Sequence, residues 1–306
     1  MLPGGGVRGS FQVGALSAIL GSGKYTIDAV YGCSVGAILA PLVAAENVDK
    51  LKTLFTSIQS LGDVVQRHTL LCGLVACPDW PIALGLASFL WLGAYQSIKL
   101  VDAMFAVVEP AELAVAKARC HVVAYDVLRN VERWFTGDEL VQGVRCSSAL
   151  WLAVPPVSYS GTLFSDGGAT AVFPVNYVID HAVKAPFDGA YLFLDCDARL
   201  PFTAPAPTDG LTLMSDLQRA AATRLANFEY AQLQAALSCG TNPLILVRPD
   251  VNLLQSALDI DPTRMRASFD AGVAKGTAFL ASFPAPAPAP APAPVASAMA
   301  ELGAVL

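Results

Sequence analysis

One pentapeptide, G-C-S-V-G at residues 32–36, constrains the fold of this 306-residue chain more than any other segment. The apolar run 27–31 before it is typical of a buried strand, and residues 37–40 after it begin a helical pattern. A serine on a sharp strand-to-helix turn holds its hydroxyl clear of the backbone, and flanking glycines permit the tight turn. The pattern therefore predicts that Ser34 is a nucleophile, with an ordinary tight turn as the alternative.

A glycine-rich loop, G-G-G-V-R-G at residues 4–9, precedes that turn. Such a loop offers several backbone N–H groups close together, which acyl transfer needs because its tetrahedral intermediate carries an oxyanion. Arg8 adds a positive charge. The pattern of Phe11–Leu20 predicts a helix whose N-terminal dipole would also favour an anion. The loop is therefore a candidate oxyanion site.

The same glycines allow a second interpretation. Gly4, Gly6 and Gly9 fit the G-x-G-x-x-G fingerprint of dinucleotide-binding proteins, and Asp28 lies near the spacing of a ribose-binding acid. That fingerprint requires a full strand before the loop, yet only Met1–Pro3 precede it, and it does not explain Ser34. A plain glycine-rich turn is the remaining alternative.

A serine nucleophile needs a base, and the usual base is histidine. The three histidines, His68, His121 and His181, all lie outside glycine-rich turns, and we interpret each as structural or exposed. Asp166 differs, because it follows the strand-like run 161–164 and precedes two glycines. A carboxylate within hydrogen-bonding reach of the serine could act as the base directly, and partial burial would raise its pKa. Taken alone, D-G-G is more often a turn.

Taken in order, the glycine loop, the pentapeptide with Ala37, and Asp166-Gly167-Gly168 resemble the patatin-like phospholipases. The resemblance extends from Gly4 to about Leu280. Segments 145–149, 154–157, 173–175 and 121–126 also resemble stretches of that family. The resemblance implies an α/β fold, a three-layer α/β/α domain with a mainly parallel central sheet.

The resemblance also implies roles for single residues. Ser34 would be the nucleophile and Asp166 the base of a Ser–Asp dyad that cleaves lipid acyl esters through an acyl-enzyme, as a phospholipase A or esterase does, without a metal or cofactor. The oxyanion would be stabilised by Gly4, Gly5, Gly6 and Arg8, with the backbone of Val35 as a further donor. The remaining motif residues are Gly32, Gly36, Gly167 and Gly168.

Two departures from the family pattern stand out. The family has a complete first strand before the glycine loop, whereas Met1–Pro3 are too short for one, so we expect either a truncated start or a sheet that lacks an edge or centre strand. This departure motivates an alternative function, a catalytically weak or inactive relative that binds lipid or a partner. Cys33 occupies a position where a small hydroxyl residue is more familiar, and we interpret it as a packed side chain.

The composition raises the question of membrane contact. Apolar residues make up 54% of the chain and charged residues 14%, and the mean hydropathy is +0.52. The most suggestive apolar segment, residues 82–95, is uncharged but has only fourteen residues, fewer than the roughly 20 that a spanning helix needs. We therefore predict that residues 70–95 form an apolar cap beside the active site with transient membrane contact, a plain buried helix being the alternative.

Charge and cysteine content bound the partners and the compartment. A formal charge of −6 with scattered Lys and Arg argues against nucleic-acid binding and against strong attraction to anionic lipid. The seven cysteines are odd in number and lack framework spacing, which indicates free thiols in a reducing compartment. Because Met1 leads directly into the glycine loop, we expect no signal peptide. We therefore expect a cytoplasmic protein, with peripheral attachment to a membrane as the alternative.

The chain divides into a domain over residues 1–282, a Pro-Ala linker over 283–294 and a short apolar tail over 295–306. Asp195 and Asp197 are interpreted as solvated acids at a strand end rather than metal ligands. In the predicted helix 211–237, Phe228 is assigned to the core side and Glu229 to the exposed side. Strands are predicted over 29–31, 121–125, 133–135, 162–165, 189–195 and 243–247, and further helices over 35–45, 48–59, 99–108 and 263–281.

Overall fold

Strands and helices alternate along the chain in the computed structural model, which describes residues 1–67, 95–150, 153–169, 175–182, 189–198, 210–237, 242–254 and 256–283. The strands are β1 (Val30–Cys33), β2 (Val65–Arg67), β3 (Tyr95–Ile98), β4 (Cys120–Asp126), β5 (Val131–Phe135), β6 (Val157–Tyr159), β7 (Thr162–Asp166), β8 (Tyr191–Leu194) and β9 (Leu244–Val247). The helices are α1 (Gly9–Gly21), α2 (Val35–Ala44), α3 (Val48–Thr56), α4 (Leu61–Val64), α5 (Lys99–Val107), α6 (Pro110–Arg119), α7 (Leu140–Ser147), α8 (Val175–Ala182), α9 (Gly210–Leu237) and α10 (Pro262–Ser282).

The parallel part of the sheet runs from β9 through β8 and β1 to β4. β8 pairs with β9 and β1 pairs with β4, both in parallel. Met1 and Leu2 lie between β8 and β1. The Met1 amino group donates to Leu192 O (2.7 Å) and Met1 O accepts from Leu194 N, while Leu2 forms a parallel bridge to Gly32. Two residues therefore join the strand pairs into one sheet.

This finding corrects the expectation that the sheet lacks a strand. Two residues are enough because Met1 pairs with β8 and Leu2 pairs with β1. Leu2 N donates to Tyr31 O, and Cys33 N donates to Leu2 O. The buried Gln12 side chain supports the connection from α1 by donating to Pro3 O and Leu194 O. The centre of the sheet is thus closed directly before the glycine loop.

One edge of β4 is shared by two strands that meet end to end. β5 pairs antiparallel with residues 122–126 along the opposite edge of β4. On the shared edge, β1 pairs with 120–123 and β7 pairs antiparallel with 124–126. Cys33, the last residue of β1, lies opposite Val123, and Asp166, the last residue of β7, lies opposite Ala124. The carboxyl ends of β1 and β7 therefore abut.

Helices cover both faces of the sheet, which gives the three layers predicted for an α/β/α domain. On one face α1, α2 and α10 contribute to the larger core, with Phe11, Leu39 and Phe269 among its buried side chains. On the other face α8 and α9 cover Phe193 and neighbouring sheet residues through Val178 and Leu233. A mainly parallel sheet with helices on both sides confirms the predicted fold class.

Most of the predicted elements match the observed ones within a few residues. The sequence analysis did not predict helices α4, α6, α7 and α8 or strands β2, β3 and β6. Within α9 two assignments are reversed, because Phe228 is 60% exposed and Glu229 only 7% exposed. The predicted cap over 70–95 lies outside the described residues except for Tyr95, as do the linker after Phe283 and the tail. Among the described residues, no helix is both long and apolar enough to cross a membrane.

Candidate active site

Ser34 occupies the turn between β1 and α2 in a backbone conformation that non-glycine residues seldom adopt. Its φ and ψ angles are 54° and −121°, and it is the residue immediately before the first turn of α2. The neighbouring glycines are required by close packing: a Cβ on Gly32 would lie 2.7 Å from Gly36 O, and one on Gly36 would lie 1.9 Å from Leu2 O. Strained backbone of this kind concentrates at functional sites because surrounding structure must hold it there.

Asp166 lies at the abutting end of β7 and is buried, with 4% of its surface exposed. Its Oδ1 accepts a hydrogen bond from Gly168 N (2.8 Å), whereas Oδ2 is buried with no hydrogen-bond partner among the described residues. Burial raises the pKa of Asp166 to about 6, an effect partly offset by hydrogen bonding from Ser34, Gly168 and Cys33. The register of β1 and β7 on β4 makes the Ser34 turn and the Asp166 carboxyl neighbours.

Cys33 is a packed side chain, as interpreted from the sequence. It is fully buried, and its Sγ lies 3.9 Å from Asp166 Oδ1. Burial, followed by the carboxylates of Asp166, Glu229 and Glu132, raises the pKa of the thiol well above its usual range. A neutral thiol is a poor nucleophile, so the thiol at position 33 does not compete with the serine beside it.

The glycine loop packs directly on this turn. A Cβ on Gly4 would lie 2.9 Å from Ser34 Cβ and 3.6 Å from Ser34 Oγ. Gly6 has a φ of +58°, and a Cβ there would lie 2.1 Å from Ala257 O. A Cβ on Gly9 would lie 2.7 Å from Val35 Cγ2. The loop therefore brings its backbone to the Ser34 hydroxyl only because these positions lack side chains.

The backbone donors around Ser34 divide into occupied and available ones. Val7 N donates to Ala257 O, Arg8 N donates to Gly5 O, and Ser34 N donates to Ser147 Oγ (2.9 Å). The Gly4 N–H also has a partner, because it hydrogen-bonds to the Cys33 thiol. Val35 N, in the first turn of α2, has no acceptor within its own helix. Gly5, Gly6 and Val35 therefore remain the candidates for the predicted oxyanion donors.

Arg8 does not present a free positive charge to the site. Its guanidinium forms an ion pair with Asp197, whose side chain is 6% exposed. Asn252 Nδ2 donates to Asp197 Oδ1 (2.7 Å), and Asp197 N donates to Asp195 Oδ1 (3.1 Å). The interpretation of Asp195 and Asp197 as solvated acids is wrong, because both are buried and hydrogen-bonded. Arg8 thus anchors the loop through its side chain.

A family model described as Patatin, patatin-like phospholipase, matches residues 1–179. The chain belongs to the patatin-like phospholipase family. Uncharacterized NTE family proteins of Mycobacterium bovis and of two strains of Mycobacterium tuberculosis are 26% identical to it over 171 residues, which is 56% of this chain and 42% of theirs. The chain thus spans less than half the length of these curated relatives.

Among solved structures, the chain is similar to VipD from Legionella pneumophila, with 14% sequence identity and a TM-score of 0.45. The likeness covers 92% of this chain and 66% of that one.

The geometry also bears on the dinucleotide-binding interpretation, on the histidines and on metal binding. Asp28 is exposed before the amino end of β1, whereas Gly4 packs on Ser34 at the carboxyl end, so the two cannot hold one ribose-pyrophosphate as the fingerprint requires. His121 is bonded through Nδ1 to the Tyr177 hydroxyl (3.0 Å) and stacks on Tyr31, consistent with a structural residue. No cluster of metal-ligating side chains occurs in the described ranges.

Three residues that support the site were not assigned a role from the sequence. Ser147 accepts the Ser34 N–H, Asp197 forms the ion pair with Arg8, and Asn252 donates to Asp197. Ser147 belongs to the stretch 145–149 that carries part of the family resemblance, which was the available signal. Asp197 follows a buried strand together with a second acid, a pattern equally typical of solvent-facing strand ends, so sequence alone did not distinguish them.

Proposed function

We propose that this protein is a lipid acyl hydrolase that cleaves carboxylic esters through Ser34 and Asp166. The observation that carries the proposal is the meeting of the two strand ends. β1 and β7 share one edge of β4, so the strained Ser34 turn and the buried Asp166 carboxyl lie together. Membership of the patatin-like phospholipase family supports a lipid ester as the substrate.

The site supports a reaction in two halves. Asp166 accepts the Ser34 proton as Ser34 Oγ attacks the ester carbonyl, and the unpartnered Oδ2 is the available acceptor. The N–H groups of Gly5, Gly6 and Val35 would donate to the oxyanion of the tetrahedral intermediate. The alcohol leaves with the proton held by Asp166, and an acyl-enzyme remains.

The second half regenerates the serine. Asp166 takes a proton from water, which attacks the acyl carbonyl, and the same N–H groups stabilise the second oxyanion. Breakdown of that intermediate releases a carboxylic acid and returns the proton to Ser34. No step requires a group other than these side chains, the backbone donors and water.

Labelling with a fluorescent fluorophosphonate tests the nucleophile. We expect the wild type and Ser57→Ala, an exposed serine after α3, to be labelled equally, and Ser34→Ala to be unlabelled. Asp166→Asn should label at least about 100-fold more slowly, since general-base catalysis contributes roughly 10²–10⁴ in rate. Hydrolysis of p-nitrophenyl butyrate should fall in parallel.

Each outcome separates the proposal from its alternative. Full labelling of Ser34→Ala would place the nucleophile elsewhere and overturn the assignment. A folded wild type that neither labels nor hydrolyses esters would be the inactive lipid- or partner-binding relative. The inactive alternative was suggested by the short segment before the glycine loop. Met1 and Leu2 pair with β8 and β1 directly before that loop, which argues against this alternative.

A further inference from the structure

An exposed apolar turn joins β4 to β5. Residues 127–131, with the sequence V-L-R-N-V, include Leu128 at 65% exposure, Val131 at 50% and Val127 at 39%. We call these five residues the 127–131 turn. Its apolar side chains face solvent and belong to none of the described hydrophobic cores. Core packing therefore does not explain why these residues are apolar.

The turn lies at the end of the sheet where Ser34 is found. β1 and β4 are parallel, and Cys33 lies opposite Val123. β4 continues for three more residues, through Asp126, before the turn begins. At about 3.3 Å per residue the turn therefore begins roughly 10 Å past the level of Cys33. Substrate entering at the carboxyl ends of these strands approaches from the same side.

Hydrogen bonds hold the turn in its exposed form. Asp126 Oδ1 accepts from Arg129 N (3.1 Å) and from Thr162 Oγ1 (2.5 Å), and Val127 N donates to Leu163 O (2.8 Å). The Tyr125 hydroxyl donates to Asn130 Oδ1 (2.6 Å). A braced turn that exposes apolar side chains loses little conformational entropy when it binds a surface.

The charge of the turn indicates which type of lipid surface it can bind. Arg129 is the only charged residue of the turn, and Arg129 Nη1 donates to Asp126 Oδ2 at 2.9 Å. The pair leaves the apolar tip without net local charge. The whole chain carries a formal charge of −6, which opposes binding to anionic lipid. An apolar, charge-balanced tip instead fits a zwitterionic lipid surface.

We propose that the 127–131 turn inserts Leu128, Val127 and Val131 into a zwitterionic lipid surface and so holds the Ser34 site against it. This deepens the proposed function and rests on it, because it names the form in which the ester substrate is presented. Amphipathic elements that enter the headgroup region bind in proportion to the apolar area they bury.

Vesicle binding by the full chain carrying Ser34→Ala tests the proposal without turnover. Sedimentation with sucrose-loaded phosphatidylcholine vesicles should show binding that Leu128→Asp weakens at least about tenfold, the loss expected when one leucine can no longer enter apolar surroundings. Leu128→Phe should bind as well as the parent. Val115→Asp, at a 36% exposed valine on α6, is the matched control and should change binding less than about twofold.

Unchanged binding of Leu128→Asp, or an equal loss in Val115→Asp, would overturn the proposal. So would no binding of the parent to phosphatidylcholine vesicles, which would leave a protein as the partner of the turn. Leu128→Ser serves as the second variant if the aspartate variant does not fold, and thermal unfolding checks both. Ester hydrolysis by the wild type is measured separately, so an inactive enzyme that binds vesicles through Leu128 would refute only the proposed function.

Discussion

Arg8 and Asp197 form an ion pair that ties the glycine loop to the end of β8. Their side chains are 15% and 6% exposed, and Asn252 holds the second oxygen of the carboxylate. The loop is also anchored through its backbone, since Val7 N donates to Ala257 O (2.9 Å). The position of the glycine loop therefore depends on two distant segments, one with Asp197, which is 189 residues from Arg8, and one with Ala257.

Replacing either member of this pair should cost stability and catalysis together. Asp197→Leu removes the ion-pair partner of a mostly buried guanidinium, and Arg8→Met removes the ion-pair partner of a buried carboxylate, so each should lower the free energy of unfolding by about 3 kcal/mol. The double variant removes both charges and should lose less than either single variant. Urea unfolding measures these values.

The pair has a positioning role that stability alone does not test. We expect kcat for a soluble ester to fall about tenfold or more in all three variants, including the double variant that regains stability, while KM changes less. A double variant with wild-type kcat would show that the loop keeps its place without the ion pair.

The pH dependence of hydrolysis should report Asp166. Only the ionised carboxylate can accept the Ser34 proton, and burial raises the pKa of Asp166 to about 6. The value of kcat/KM should therefore rise tenfold per pH unit below pH 6 and level off above about pH 7. The Cys33 thiol also interacts with Asp166, so Cys33→Ala should move the midpoint upward. A midpoint near pH 4, the ordinary range of a carboxyl group, would contradict the assignment.

The same buried carboxyl makes stability depend on pH. Its pKa is higher in the folded protein, at about 6, than the ordinary value of 3.8, so the folded state binds the proton more tightly. The resulting stabilisation is complete below pH 4 and is lost as pH rises through about 6, with a total of roughly 3 kcal/mol. Neutral Asn has no such dependence and can donate to Ser34 in place of the lost proton.

We therefore expect Asp166→Asn to be as stable as the wild type near pH 4 and more stable by up to about 3 kcal/mol at pH 8, although hydrolysis is lost. Denaturant unfolding at the two pH values gives the comparison, and Asp102→Asn, at an exposed acid on α5, is the control. An equal effect of Asp166→Asn at both pH values would mean that burial does not raise the pKa of Asp166.

The parts of the site that were predictable from sequence are local ones. The conformation of a tight turn between a strand and a helix depends on consecutive residues, so the Ser34 turn and α2 could be predicted from the pentapeptide and its flanks. The Asp166 turn was found in the same way. Family resemblance then gave their order, but only the sharing of one β4 edge by β1 and β7 explains why they meet.

The incorrect predictions concern residues whose environment is set by distant segments. Met1 and Leu2 are too few to show a strand pattern, and they complete the sheet only because β8 and β1 flank them. Asp197 is buried because Arg8 and Asn252 lie beside it. In α9, Glu229 is buried and Phe228 exposed, the reverse of what hydrophobicity predicts for adjacent residues.

Gly4 offers a direct test of how closely the loop must approach the nucleophile. The Cβ of Gly4→Ala would lie 2.9 Å from Ser34 Cβ, so the loop must move away from the serine by several tenths of an ångström. Donors displaced from the oxyanion stabilise it less, and losing one such donor typically costs about 10²-fold or more in rate. We expect at least a tenfold loss of kcat with little change in the free energy of unfolding. Gly21→Ala is the matched control, because a Cβ at the end of α1 meets nothing within 4 Å. If both variants retain wild-type kcat, the loop does not supply the oxyanion donors.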